Sequence, residues 1–258
     1  MEFSSFHTPA PDLAVAVAVH NGHELRLEIA TLMALDEATR LREEDPYTGS
    51  LASRFGVSAV VHRSRFEVDL NRHRKAAVYR GPDEAWGLDV WKEPLTGRQV
   101  SESLELYDRF YTELASILDE LVAEFGGFVL YDIHSYNHRR AGPESASDRV
   151  VDSPTVNLGT GSLPERWKPV AEAFVEAMQR WTLDGDPLDV RENVRFQGGH
   201  LSRWVHQNYG NTSCALAIEL KKVFMDEWTG RVESDRLGQL GEALTASVDS
   251  VRKRYRLA

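Results

Sequence analysis

The sequence predicts an α/β protein whose central mixed or parallel β-sheet carries helices on its faces. Three observations lead there. Short apolar runs bounded by turn residues mark strands, stretches with three-to-four apolar spacing mark helices, and the two alternate along the chain. The 258 residues, 42% hydrophobic and 27% charged, suit a single domain with a sizeable core. No internal repeat, low-complexity tract or linker divides it.

Taken in order, residues 13–19 form the first apolar run and read as a buried strand. The run is far too short to cross a bilayer, and it lacks the basic flank of a signal peptide. The acidic run Glu43-Glu44-Asp45-Pro46-Tyr47 leads into a short helix. Residues 58–70 read as two strands or one bent strand. Within them Phe66, Val68 and Leu70 alternate with Arg65, Glu67 and Asp69, the period-two pattern of one apolar face. Ser101 can cap a helix whose buried stripe is Leu104, Tyr107, Phe110, Tyr111, Leu114, Leu118, Leu121, Val122 and Phe125, and Gly126-Gly127 stop it. Residues 128–133 form the next strand. The polar stretch 139–151 reads as a long surface loop, of the kind that serves as a lid or binding loop. Ser162-Leu163-Pro164-Glu165 looks like a capping box opening a helix to about Trp181. A fourth strand covers residues 214–220, and a last helix runs from about Glu233 to Tyr255. The stretch 223–230 between them fits core or rim equally.

A formal net charge of −10 argues against a nucleic-acid partner, because phosphate binding needs a basic face. The single cysteine, Cys214, permits no intramolecular disulfide, as expected of a protein of the reducing cytoplasm.

The functional signal is positional. Each apolar run ends in, or carries near its end, an isolated polar residue able to do chemistry: His20, Asn71-Arg72, His134 and Glu219. In open α/β sheets, ligands sit in the crevice outside the carboxyl ends of the strands. His20 and His134 are candidate metal ligands, and a catalytic zinc site needs a third ligand and an open position. Glu43, Glu44, Asp45, His23 and Glu24 all stand within reach in sequence. Glu219 lies inside an apolar strand, where a carboxylate needs a reason to be. It is either a structural ion pair with Lys221, Lys222 or an arginine, or a general base with a pKa raised by desolvation. Arg72 can fork onto a substrate carboxylate. Two glycine-bearing loops, Asn157-Leu158-Gly159-Thr160-Gly161 and Gln197-Gly198-Gly199-His200, let backbone approach a ligand closely.

In this order, His20-Asn21-Gly22, Glu44-Asp45, Ser64-Arg65 through Asp69-Leu70-Asn71-Arg72, Asp132-Ile133-His134-Ser135, Asn157-Leu158-Gly159-Thr160, Gly198-Gly199-His200 and Ile218-Glu219-Leu220 resemble the N-formylglutamate amidohydrolase family. The resemblance spans nearly the whole chain. It implies a zinc-carboxypeptidase-like (phosphorylase/hydrolase-like) fold and one catalytic domain over residues 1–258. It implies a zinc or other divalent ion held by His20, His134 and a carboxylate of the Glu44-Asp45 turn, with Asp45 favoured. Where zinc carboxypeptidases place a Glu three residues after the first His, this chain has His23, so Glu44, Asp45 and His23 all stay open. The resemblance further implies Glu219 as the base, Arg65 beside the scissile carbonyl, Asn71 and Arg72 as a carboxylate clamp, and Thr160 and His200 on the pocket wall. The expected activity is hydrolysis of a small N-acyl amino acid such as N-formyl-L-glutamate. The alternatives are a deacylase or peptidase for another N-acyl amino acid, and a ligand-binding relative without a competent metal site.

Overall fold

The protein's structure, a computed structural model, describes residues 2–257. Its strands are β1 (Ser4–His7), β2 (Ala14–Ala18), β3 (Val57–Val61), β4 (Val129–Tyr136), β5 (Val156–Gly159), β6 (Thr182–Leu183), β7 (Asp186–Pro187), β8 (Val190–Glu192) and β9 (Cys214–Lys221). Its helices are α1 (Leu27–Leu32), α2 (Glu37–Glu43), α3 (Thr48–Ala52), α4 (Gly97–Phe125), α5 (Lys168–Met178), α6 (His200–Tyr209) and α7 (Ser234–Tyr255). Among the described residues the main sheet has seven strands in the order β1-β3-β2-β4-β9-β5-β8, and β6 and β7 form a separate hairpin.

The four expected strands became β2, β3, β4 and β9, adjacent and mutually parallel. Their carboxyl ends therefore share one edge. β1 pairs antiparallel with β3, and β5 antiparallel with β9, which makes the sheet mixed.

Both faces are covered, so the central strands are buried along their whole length. In β2, Ala14, Ala16 and Ala18 join a core with α3, α5 and α7, while Val15 and Val17 join the opposite core with α4 and α6. In β4, Val129, Tyr131 and Ile133 face the α5–α7 side and Leu130 the α4 side. Alternation then places Asp132 and His134 on the α4 side, two residues apart. β4 and β9 are in register with His134 opposite Glu219.

Four local expectations needed correction. Residues 66–70 are not a strand. The Glu67 and Val68 amides turn back to the Ser64 carbonyl, and Phe66, Glu67, Val68, Asp69 and Leu70 are all buried. The alternation is real, but its polar members are buried too, because Arg26 pairs with Glu67 and Arg65 with Asp69. Helix α4 starts before Ser101. Thr96 and Gln99 form the capping box, and Gly126, at φ 79°, closes the helix as anticipated. Ser162 caps nothing: its hydroxyl lies 2.9 Å from His206 Nδ1, and a 3-10 turn at Glu165–Trp167 leads into α5. The glycine-bearing segment at 157–159 is strand β5 rather than a loop.

The stretch after Lys222 is core at Phe224 and Met225 and an anchor beyond them. The buried Glu227 carboxylate accepts the backbone N–H groups of His138 and Arg139, at 2.8 and 2.6 Å, and so fixes the root of the 139–151 loop. Among the described residues no helix is long and apolar enough to cross a membrane.

Candidate active site

At the shared carboxyl edge lies a cleft of about 360 Å³ whose floor and walls include His20, Asp45, Arg65, Asn71, His134 and Glu219. His20 follows β2, His134 and Glu219 sit near the ends of β4 and β9, and Asp45 comes from the turn between α2 and α3. That turn is pinned: the Asp45 amide donates to the His20 carbonyl at 2.9 Å, and Thr48 Oγ1 donates to the Asp45 carbonyl at 2.6 Å.

His20, Asp45 and His134 are all buried, and one ligand atom from each lies within 4.8 Å of the others. Each imidazole has its Nε2 on a carboxylate, and that of His134 also lies 3.1 Å from Asn71 Nδ2. His20 Nε2 lies 2.7 Å from Asp69 Oδ1, and His134 Nε2 lies 2.8 Å from Asp132 Oδ1. A carboxylate on Nε2 fixes the proton there and turns the Nδ1 lone pair outward. Both Nδ1 atoms face Asp45 Oδ2, at 3.3 Å for His20 and 2.9 Å for His134. His20 Nδ1 is buried and has no hydrogen-bond partner. Two nitrogen lone pairs facing a carboxylate oxygen are reconciled by a cation between them or by extra protons. The donor set of two imidazoles and one carboxylate fits a zinc-type ion.

The electrostatics agree. Burial alone would lower the His134 pKa, but the Asp132 and Asp45 carboxylates raise it well above the usual value, so the site draws positive charge. Burial opposes ionisation of Asp45 as well, yet hydrogen bonds to His134 and His20 hold its carboxyl well below the ordinary range. At Asp69, burial is outweighed first by the Arg65 charge and then by His20 and Tyr79. Glu219 behaves oppositely. Burial pushes its carboxyl up to about 8, with His134 opposing and Asp45 and Asp132 adding to the rise. No hydrogen bond or ion pair holds Glu219 among the described residues.

Glu44 does not join the cluster. It is buried, and its carboxylate meets His23 Nδ1 at 2.5 Å, the Ser64 hydroxyl, and Arg40 at 3.6 Å. His23 is thereby turned toward Glu44 rather than toward His134. Of the three carboxylate or imidazole candidates, the geometry brings only Asp45 to the two histidines. Arg65 lines the cleft with its Nη2 on Asp69 Oδ2 at 2.8 Å, while its buried Nε has no partner. Asn71 also lines the cleft and accepts the Leu201 N–H at 2.9 Å. Gly199 makes this possible, since a Cβ there would lie 2.1 Å from Asn71 Nδ2.

Arg72, Thr160 and His200 are not on the cleft wall. The Arg72 guanidinium stacks on Tyr79 and Trp86 and lies 3.6 Å from Asp69. Thr160 ties β5 to β8 through Glu192 and Asn193. His200 opens α6 with its Nε2 2.9 Å from Tyr107 Oη. Three further cations line the cleft: Arg140 and Arg195, which the sequence reading did not name, and Lys222, which it weighed only as a partner for Glu219. Asp132 had a signal: an Asp-x-His run inside a strand puts both side chains on one face. Arg140 falls in the 139–151 stretch read as a lid or binding loop, whereas Arg195 had no signal.

These features define an α/β protein with a mixed sheet and a histidine–carboxylate–histidine cluster at the carboxyl edge of its parallel strands. The chain belongs to the N-formylglutamate amidohydrolase family, whose family model matches residues 14–225. It is 29% identical over 209 residues, 75% of each chain, to the N-formylglutamate deformylase of Pseudomonas aeruginosa. Its fold is similar to that of an N-formylglutamate amidohydrolase from Ralstonia eutropha, with a TM-score of 0.79 at 14% identity and full coverage of both chains. It is also similar to a gene product of Agrobacterium tumefaciens, with a TM-score of 0.63 at 15% identity, covering 98% of this chain and 97% of the other.

Proposed function

We propose that the chain is a single catalytic domain that hydrolyses the amide of a small N-acyl amino acid such as N-formyl-L-glutamate. The observation that carries this is the pair of buried imidazoles, each with Nε2 on a carboxylate and Nδ1 toward Asp45, beside an unpaired Glu219. His20, Asp45 and His134 would hold a divalent ion, zinc in this reading, which supplies polarisation of the scissile carbonyl and a lowered pKa for water.

The chain's own residues do the rest. Glu219 takes a proton from the attacking water and returns it to the leaving amine as the carbon–nitrogen bond breaks. A carboxyl pushed up to about 8 is suited to both transfers near neutral pH. Arg65, anchored by Asp69, offers its free Nε to the oxygen on which negative charge develops. Asn71, whose amide touches His134, helps to position the substrate. Asp69 and Asp132 keep both histidines in the tautomer that leaves Nδ1 free.

Glu219→Gln should keep bound metal, by elemental analysis, while turnover of N-formyl-L-glutamate falls by roughly 10²–10⁴. A variant that turned over at the parent rate would remove Glu219 from the chemistry.

A further inference from the structure

Arg140, Arg195, Trp86 and Phe196 line both the cleft and an adjoining outer groove, which also takes in Asp148, Asp152 and Val194. The two guanidiniums are lightly engaged. Arg140 makes only a 3.8 Å approach to Glu43 and is 54% exposed. Arg195 gives Nη1 to Asp148 and lies over the Tyr136 ring, 5.1 Å from its centroid. Each guanidinium carries five donors in a planar fork suited to carboxylates, so most of these donors stay open.

Arg195 is also deliberately placed. The fully buried Asn157 stands opposite Glu219 in the β5–β9 register. Its Oδ1 accepts the Arg195 backbone N–H at 2.8 Å, and its Nδ2 donates to the Phe196 carbonyl at 2.9 Å. The strand that flanks Glu219 thus also sets Arg195 on the cleft rim. Arg140 and Arg195 thus stand at one mouth, where Glu43, Asp148 and Asp152 balance them and Arg140 keeps most of its donors open.

We infer that Arg195 and Arg140 form an anion subsite that binds the substrate carboxylate farther from the scissile amide, and so select dicarboxylic N-acyl amino acids. This rests on the hydrolytic reading above, with the His20–Asp45–His134 end holding the amide and the rim holding the distal charge. Asp148 is then the internal anion that occupies Arg195 until substrate displaces it.

The test compares N-formyl-L-glutamate with its neutral isostere N-formyl-L-glutamine, reading kcat/KM for both. Arg195→Gln and Arg140→Gln should each cut the preference for the glutamate substrate roughly 10- to 100-fold, the worth of a charge-assisted hydrogen bond, with little change for the glutamine substrate. Asp148→Asn separates binding from mere loop tethering. It should lower the KM for the glutamate substrate if Arg195 is the anion receptor, whereas a raised KM for both substrates would show a structural tether and overturn the inference. An unchanged preference in both arginine variants would also overturn it. Calorimetric titration with glutarate and with butyrate keeps the two readings apart. Tighter glutarate binding that is lost in Arg195→Gln supports the subsite even if neither formyl substrate is cleaved, and that second result would count against hydrolysis alone.

Discussion

Lys222 is the least expected side chain of the site. It is 1% exposed, and its Nζ donates to the carbonyls of Arg42 at 2.6 Å and Glu44 at 2.7 Å and to Asn137 Oδ1 at 3.0 Å. One ammonium thus ties together the turn that carries Asp45, the end of β4 and the end of β9. Burial lowers its pKa, with Asp45, Glu43 and Glu227 opposing. Lys222→Met strands three buried acceptors and should cost roughly 1–3 kcal/mol or more, read by urea denaturation. It should also weaken zinc affinity of the metal-free protein in a chelator competition. A loss of stability with unchanged affinity would make the residue structural only. The sequence could not single it out. Lys221 and Lys222 look alike there, and both were candidates to neutralise Glu219, yet neither does. His20, His134 and Glu219 were legible as polar residues closing apolar runs. Choosing Asp45 over Glu44 required knowing that His23, Ser64 and Arg40 already occupy Glu44.

At the scale of elements, the strands that carry the site were readable because each is a buried run that ends in chemistry. Residues 66–70 were misread because alternation reports sidedness only where one side meets water. Here both sides are buried, and ion pairs with Arg26 and Arg65 satisfy the polar one. Helix α6 escaped notice, and it carries an acid-sensitive contact. His206 Nε2 accepts the Ala215 N–H of β9 at 3.0 Å while Nδ1 lies 2.9 Å from Ser162 Oγ, so the native ring must be neutral. Burial lowers its pKa from 6.5 to about 4. Below pH 6.5 the unfolded chain takes up a proton that the folded chain refuses. The contribution is therefore complete above 6.5 and is lost as pH falls toward 4, at most about 3 kcal/mol. His206→Gln should flatten stability against pH in that window, and an equally steep curve would exclude this contact as the source.

Across the whole molecule, the parallel core β3-β2-β4-β9 brings distant segments to one edge, which is why residues near positions 20, 45, 71, 134 and 219 meet. The cluster they form concentrates carboxylates around two imidazoles, a balance that favours a bound cation and couples it to folding. Arg140 and Arg195 reach the same cleft from the 139–151 loop and the segment after β8, where local pattern says nothing about direction. The central claim is that His20, Asp45 and His134 hold the catalytic ion. Elemental analysis of purified wild type, Asp45→Ala and Glu44→Gln tests it most directly. The account predicts about one divalent ion per chain in wild type and Glu44→Gln, and none in Asp45→Ala. Metal retained in Asp45→Ala, or absent from wild type after supplementation, would contradict it.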